Sequence, residues 1–192
     1  MSNCLMKFLE KYNHEKNIRF ESFKFALTEA NTRGLKTIVE TGCARGKRKF
    51  FFFSKKNWKD GMSTMIFSDY AKFVNGSLIT CDIDNHNIKN AKKFVGLNKR
   101  YVEFVVDDSL NFLNKIDKTI DFLYLDSLDG QFKEASNHQL SEIKIAINKL
   151  QNNSLVLLDD KGSKTNLSID YMLKNNFKIL NETNEQILLS LI

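Results

Sequence analysis

Short runs of consecutive apolar residues alternate along this 192-residue chain with longer stretches in which apolar positions recur every three or four residues. The runs read as strands at about 36–41, 78–82, 102–106, 120–125 and 155–158, with two more at 176–181 and 185–191. Between them the helical period predicts helices at 62–74 (Met65, Ile66, Tyr70, Phe73), 86–96 and 109–115. A helix at 138–150 presents Leu140, Ile143, Ile147 and Leu150 as one stripe. Residues 3–30 read as helical with short breaks; Phe20, Phe23, Phe25, Ala26 and Ala30 can face a sheet, and Gly34 can end the segment. Asn75-Gly76 marks a turn, and 127–137 reads as loop. Central strands that are continuously rather than alternately apolar, separated by helices, imply an α/β fold with a mostly parallel sheet covered on both faces. An N-terminal helical cap (1–34) then precedes a single α/β domain (35–192).

Composition narrows this only a little. A 42% hydrophobic content suits one globular domain and excludes general disorder. Cys4, Cys43 and Cys81 have neither an even count nor CxxC spacing, which points to a reducing compartment. No apolar run approaches membrane-spanning length, so a cytoplasmic location is expected. The net charge of +6 is a modest excess, but its distribution is uneven. Residues 45–60 fit neither helical nor strand period, and Arg45–Lys59 carries seven basic residues, four successive phenylalanines and Trp58. Such an insertion suits a lid that meets an anionic small molecule or sugar. A homodimer contact is a second use, and nucleic acid, with phosphates on the cations and bases on the rings, a third.

The candidate chemistry sits at strand ends. Thr37-Ile-Val-Glu-Thr-Gly42 ends in an acid and a glycine turn (Glu40, Thr41, Gly42), and Leu78-Ile-Thr-Cys-Asp82 ends in an acid. Asp108, Asp126 and the pair Asp159-Asp160 follow the later strands. In a parallel sheet these ends share the edge where open α/β proteins bind ligands. The alternative for each acid is helix capping, which suits Asp108 or Ser109 ahead of helix 109–115, and Asp84 ahead of helix 86–96. Asp82 is placed to accept from ribose hydroxyls, and Gly61 and Ser63 form a second glycine element within Asp60-Gly-Met-Ser-Thr64. The glycine spacing matches neither G-x-G-x-x-G nor G-x-x-x-x-G-K-[ST], which disfavours a dinucleotide enzyme or a phosphate-loop NTPase. His138 is a candidate general base and Asp129 a candidate ligand or acceptor contact. His14 and His86 have no evident partners, and Cys43 and Cys81 read as buried small residues.

In order and type these segments resemble the motifs of class I S-adenosylmethionine-dependent methyltransferases: Val39-Glu-Thr-Gly42, Asp60-Gly-Met-Ser-Thr64, Thr80-Cys-Asp82, Val106-Asp-Asp-Ser109 and Leu123-Tyr-Leu-Asp126. The resemblance covers about 35–192 and implies a Rossmann-like three-layer sandwich whose seven-stranded sheet has its last strand antiparallel. It further implies that S-adenosylmethionine contacts Glu40, Thr41, Gly42, Gly61, Ser63, Asp82, Asp108 and Ser109. The chain is most similar to the small metal-assisted O-methyltransferase branch, which implies Mg²⁺ or another divalent ion on Asp126, Asp159 and Asp160, with Asp126 beside the transferred methyl group. Residues 43–60 interrupt the first glycine turn, and Asn152-Asn153 stands where a glycine-rich turn is usual. A nonmethyl enzyme using the same cofactor, a nucleic-acid methyltransferase and a noncatalytic nucleoside-binding module are the competing functions.

Overall fold

The computed structural model describes residues 3–50 and 53–191. Two helices, α1 (Asn3–Glu10) and α2 (Phe20–Thr32), lead into β1 (Thr37–Thr41). A β-ribbon follows, β2 (Lys47–Phe50) with β3 (Phe53–Lys56), then α3 (Ser63–Phe73), β4 (Ser77–Asp82), α4 (Asn85–Val95), β5 (Val102–Val106) and α5 (Ser109–Lys115). The chain continues through β6 (Ile120–Leu125), α6 (Ala135–Ala146), β7 (Leu150–Leu158), α7 (Asn166–Lys174), β8 (Phe177–Glu182) and β9 (Ile187–Leu191).

The main sheet has seven strands in the order β5-β4-β1-β6-β7-β9-β8. β1 pairs in parallel with β4 and β6, and β4–β5 and β6–β7 are parallel too, whereas β9 runs antiparallel to β7 and β8. This is the expected sheet, last strand reversed. The chain winds outward from β1 through β4 to β5, then returns to place β6 on the other side of β1. That reversal opens a crevice at the carboxyl ends of β1 and β6.

The continuous apolar runs divide cleanly between two cores because successive side chains in a strand point to opposite faces. Phe122, Tyr124, Leu155 and Leu157 pack under α1, α2 and α3, while Leu123, Leu125, Val156 and Leu158 pack against α5, α6 and α7. Phe67 holds the first layer together, its ring centroid 5.5 Å from those of Phe23 and Phe122 and 5.2 Å from that of Tyr124. Edge-on aromatic contacts of this kind add to area burial.

Three expectations change. A helix that the sequence reading left out, α7, fills 166–174. The stretch 138–150 is not one helix: α6 begins at Ala135, ends at Ala146, and Leu150 already starts β7. Its buried face carries Gln139 and Glu142 beside Ile143, because that face looks toward the polar strand ends rather than only toward the sheet. Finally, the basic aromatic segment contains an antiparallel ribbon pairing Lys47 with Lys56 and Phe50 with Phe53. Phe51 and Phe52 lie outside the described residues.

Candidate functional site

At the crevice, β1 and β6 run close together. Asp126 donates its backbone N–H to the Thr41 carbonyl at 2.9 Å, and Gly42 donates to the Cys81 carbonyl at 2.9 Å. Gly42 has φ of +80°, and a Cβ there would lie 2.0 Å from the Asp126 carbonyl oxygen. The glycine is thus required by the chain's own backbone, which crosses where a side chain would be. Gly61 also has positive φ, and its missing Cβ faces the Arg19 side chain.

Glu40 is fully buried behind this turn and accepts from the hydroxyls of Thr64 at 2.7 Å and Thr80 at 2.6 Å. Thr64 in turn accepts from the Ala44 N–H at 2.8 Å, so a buried acid fixes the loop that follows Gly42. Burial raises the Glu40 carboxyl to about 7, against the pull of the Ser63, Thr80 and Thr64 hydroxyls. Ser63 is buried at the start of α3.

Asp82 ends β4 with its carboxylate aimed by two backbone amides, Cys43 N–H at 3.2 Å and Asp84 N–H at 2.8 Å. Further contacts come from the Asn87 amide at 3.2 and 3.3 Å. Asp82, Gly42, Ile83 and Ser127 line two adjoining cavities of about 130 and 110 Å³. The first extends to Asp108, Ser109, Leu128 and His138, the second to Ala44, Arg45, Asp60 and Asp126. Ile83 is 73% exposed, an apolar surface left open at the groove. Asp108 caps α5, accepting from Leu110 N–H at 3.0 Å and Asn111 N–H at 3.2 Å, and Asp84 caps α4. An aimed carboxylate, an open apolar side chain and the Ser109 hydroxyl along one groove have the chemistry that a nucleoside needs: acceptors for a diol, a flat apolar contact and a polar edge.

His138 lies one turn into α6, its backbone N–H bonded to the Glu134 carbonyl. Its Nε2 is 2.8 Å from the Ser109 Oγ and 3.8 Å from Glu142 Oε1. A nucleophilic triad needs the acid on the other ring nitrogen, so Ser109, His138 and Glu142 do not form one. Glu142 is buried, which raises its carboxyl despite the charge of His138 and the nearby Ser109, Ser127 and Thr41 hydroxyls.

A third cavity, about 480 Å³, continues from the groove through Asp60 and Asp126. Arg19, Arg45, Lys59, Asp129, Gln131, Asp159 and Asp160 complete its wall. Asp126, Asp159 and Asp160 each offer a carboxylate oxygen, all within 4.8 Å of one another. Two cations already engage them. Arg19 is bidentate on Asp159, at 2.7 and 2.8 Å, and reaches Asp160 at 3.2 Å. Lys164, only 2% exposed, donates to Asp126 at 3.0 Å and lies 3.3 Å from Asp160. The other donors are Gln186 to Asp159 at 2.7 Å, the Gly130 N–H to Asp160 at 3.3 Å and the Tyr124 hydroxyl to Asp126 at 3.4 Å. Burial opposes the charge on Arg19 and Lys164, yet the carboxylates beside them raise both pKa values above the ordinary range. Burial also works to raise Asp159, but the Arg19 guanidinium wins and holds it below the usual carboxylate range. Asp126 is pushed upward by burial and by the charge of Asp159. Arg45 forms a separate bidentate pair with Asp129, at 2.9 and 3.1 Å.

Gly42, Asp82, Asp108, Ser109, Asp126, Asp159 and Asp160 therefore line the joined cavities, with Glu40, Thr41, Ser63 and Thr64 buried and Gly61 against Arg19, and His138 stands at the opposite end from the acid cluster. Arg19, Ile83, Asn87 and Gln186 escaped the sequence reading, which had no cue for them. Lys164 had one: it follows Asp160 by four residues, the helical ion-pair spacing.

A family model described as a methyltransferase domain matches residues 58–161, more than half of the chain. The chain belongs to this methyltransferase-domain family. The match begins after the ribbon and takes in Asp60 and the strand-end acids from Asp82 to Asp160. Among solved structures, the SAH-bound methyltransferase PaMTH1 from Podospora anserina superposes with a TM-score of 0.65 at 13% identity, over 100% of this chain and 89% of that one. The O-methyltransferase NovP gives 0.65 at 10% identity, over 90% and 79%. An rRNA methylase from Streptococcus thermophilus gives 0.56 at 12%, over 82% and 87%. At these identities the likeness is one of fold, that of class I S-adenosylmethionine-dependent methyltransferases. No curated protein sequence matches the chain.

Proposed function

We propose that this methyltransferase binds S-adenosylmethionine along the Asp82–Ser109 groove and methylates a hydroxyl of a small anionic molecule or sugar in the Arg19–Asp160 chamber. The observation that carries this reading is the joining of the two at Asp126. A chamber of about 480 Å³ falls within the range of small-molecule sites.

In this reading Asp82 accepts from the ribose hydroxyls, which compete with the Asn87 contacts. Ile83 covers the base, and Asp108 and Ser109 stand at its edge. Gly42 and Ser127 flank the methionine end, with Glu40, Thr41, Gly61 and Ser63 shaping the loops around it. S-adenosylmethionine supplies a methyl group on a positively charged sulfur, which an acceptor oxygen takes as the carbon–sulfur bond breaks. Asp126 receives the proton that the hydroxyl loses. Arg45 and Lys59 hold the acceptor's negative charge, and fixing its oxygen in line contributes much of the acceleration. His138 positions Ser109 and does not reach the acceptor.

The rRNA methylase fold neighbour and the basic ribbon favour RNA as the second reading. Incubation with methyl-labelled S-adenosylmethionine and either a small-metabolite fraction or total RNA decides between them. Label entering an alkali-stable small anion supports the proposal. Label entering RNA alone replaces it with the second reading.

A further inference from the structure

Three carboxylates converging at strand ends invite a divalent ion, but two cations are already paired to them. Each of the six has a side-chain or backbone donor, from Arg19, Lys164, Gln186, Gly130 or Tyr124. A carboxylate oxygen can accept a hydrogen bond and still bind an ion, but an ion among these three would lie against the two cations already paired to them, and Mg²⁺ also demands near-octahedral geometry. It would have to expel a buried lysine or a bidentate arginine, so the set as folded does not fit a resident ion.

We infer that Arg19 and Lys164 stand in for a metal ion in this enzyme: two side-chain cations neutralise Asp126, Asp159 and Asp160 and position the acceptor end of the site. This rests on the reading of that chamber as the acceptor site. The two cations come from places that make the arrangement a built one. Arg19 immediately precedes α2 and also donates to the Lys59 carbonyl at 3.1 Å, so it ties the N-terminal segment, the end of the ribbon and the loop after β7 into one wall. Lys164 donates to the Leu128 carbonyl at 3.1 Å besides its two acids, joining the loops after β6 and β7. Between them Arg19 and Lys164 contact all three carboxyl groups, so the negative charge of the cluster is offset without a metal ion.

The test is titration of the purified protein with Mn²⁺, followed by electron paramagnetic resonance of the free ion, alongside calorimetry with S-adenosylmethionine. The wild type is expected to show no saturable Mn²⁺ site at millimolar ion and to bind S-adenosylmethionine equally well with and without EDTA. A one-to-one Mn²⁺ site that disappears in Asp159→Asn would overturn the inference. Absence of S-adenosylmethionine binding would instead strike the underlying functional reading. Arg19→Met and Lys164→Met each leave buried carboxylates unpaired, and their melting temperatures should fall by roughly 10 °C. Variants that melt with the wild type would show that these cations do not hold the cluster, and would also overturn it. Should Lys164→Met fail to fold, Arg19→Met, at the more accessible position, carries the same comparison.

Discussion

Gly42 shows how a single residue type can be demanded by backbone crossing. The space of its missing side chain is filled by the Asp126 carbonyl, 2.0 Å from where a Cβ would be, at a φ of +80°. Gly42→Ala therefore combines left-handed strain with a backbone clash and should destabilise the protein by about 3 kcal/mol or more, read from urea unfolding. The acidic neighbour makes a different prediction. The Glu40 carboxyl stands at about 7 in the fold against 4.5 for the free group, so the folded chain holds this proton more tightly than the unfolded one. Its contribution to stability is fully present below pH 4.5 and is lost as pH rises to 7. Glu40→Gln removes that dependence: the stability difference between variant and wild type should shift in the variant's favour from pH 4.5 to 7 and stay level above. A flat difference across that window would mean that Glu40 is ionised throughout. Strand-end acids were legible from the sequence because an acid after an apolar run is conspicuous. What each acid touches was not. The exceptions are Asp108 and Asp84, which cap α5 and α4 as their positions ahead of a helix allowed; the partners of Asp159 come from residues 19 and 186, separations that no local pattern encodes.

At the scale of elements, the strands were read well because a doubly covered sheet forces unbroken apolar runs, and helices α3 and α4 because they keep a helical period. α6 departed from its expected stripe where it passes the site: Gln139 and Glu142 take inward positions that a purely structural helix would fill with leucine. The ribbon had no readable period because its two strands are four residues each and their alternation is swamped by lysines and phenylalanines. Its ends are adjacent, since Asn57 N–H donates to the Gly46 carbonyl at 3.3 Å. Replacing residues 47–56 by a two-residue Gly-Ser link should thus leave the fold and cofactor affinity within about threefold of wild type, because loop closure hardly changes. Turnover of the anionic acceptor should fall by at least about tenfold if the ribbon helps position it. Unchanged turnover would remove the ribbon from substrate recognition.

At the scale of the whole molecule, the Asp82–Ser109 groove and the Arg19–Asp160 chamber meet beside the contact between Gly42 and the Asp126 backbone. The doubly wound topology brings them together, since β1 and β6 become neighbours only when the chain reverses direction across the sheet. No helix among the described residues is long and apolar enough to cross a membrane. The family match and the fold establish a methyltransferase; that Asp82 anchors its cofactor is the proposal on which the reading of the groove depends. Isothermal titration of S-adenosylmethionine into the wild type and Asp82→Ala tests this most directly. The account predicts one site per chain in the wild type and about a 10- to 100-fold weaker affinity in the variant, the usual effect of removing a charged acceptor from hydrogen-bonded hydroxyls. Equal affinity in the two proteins, or no binding by the wild type, would contradict it.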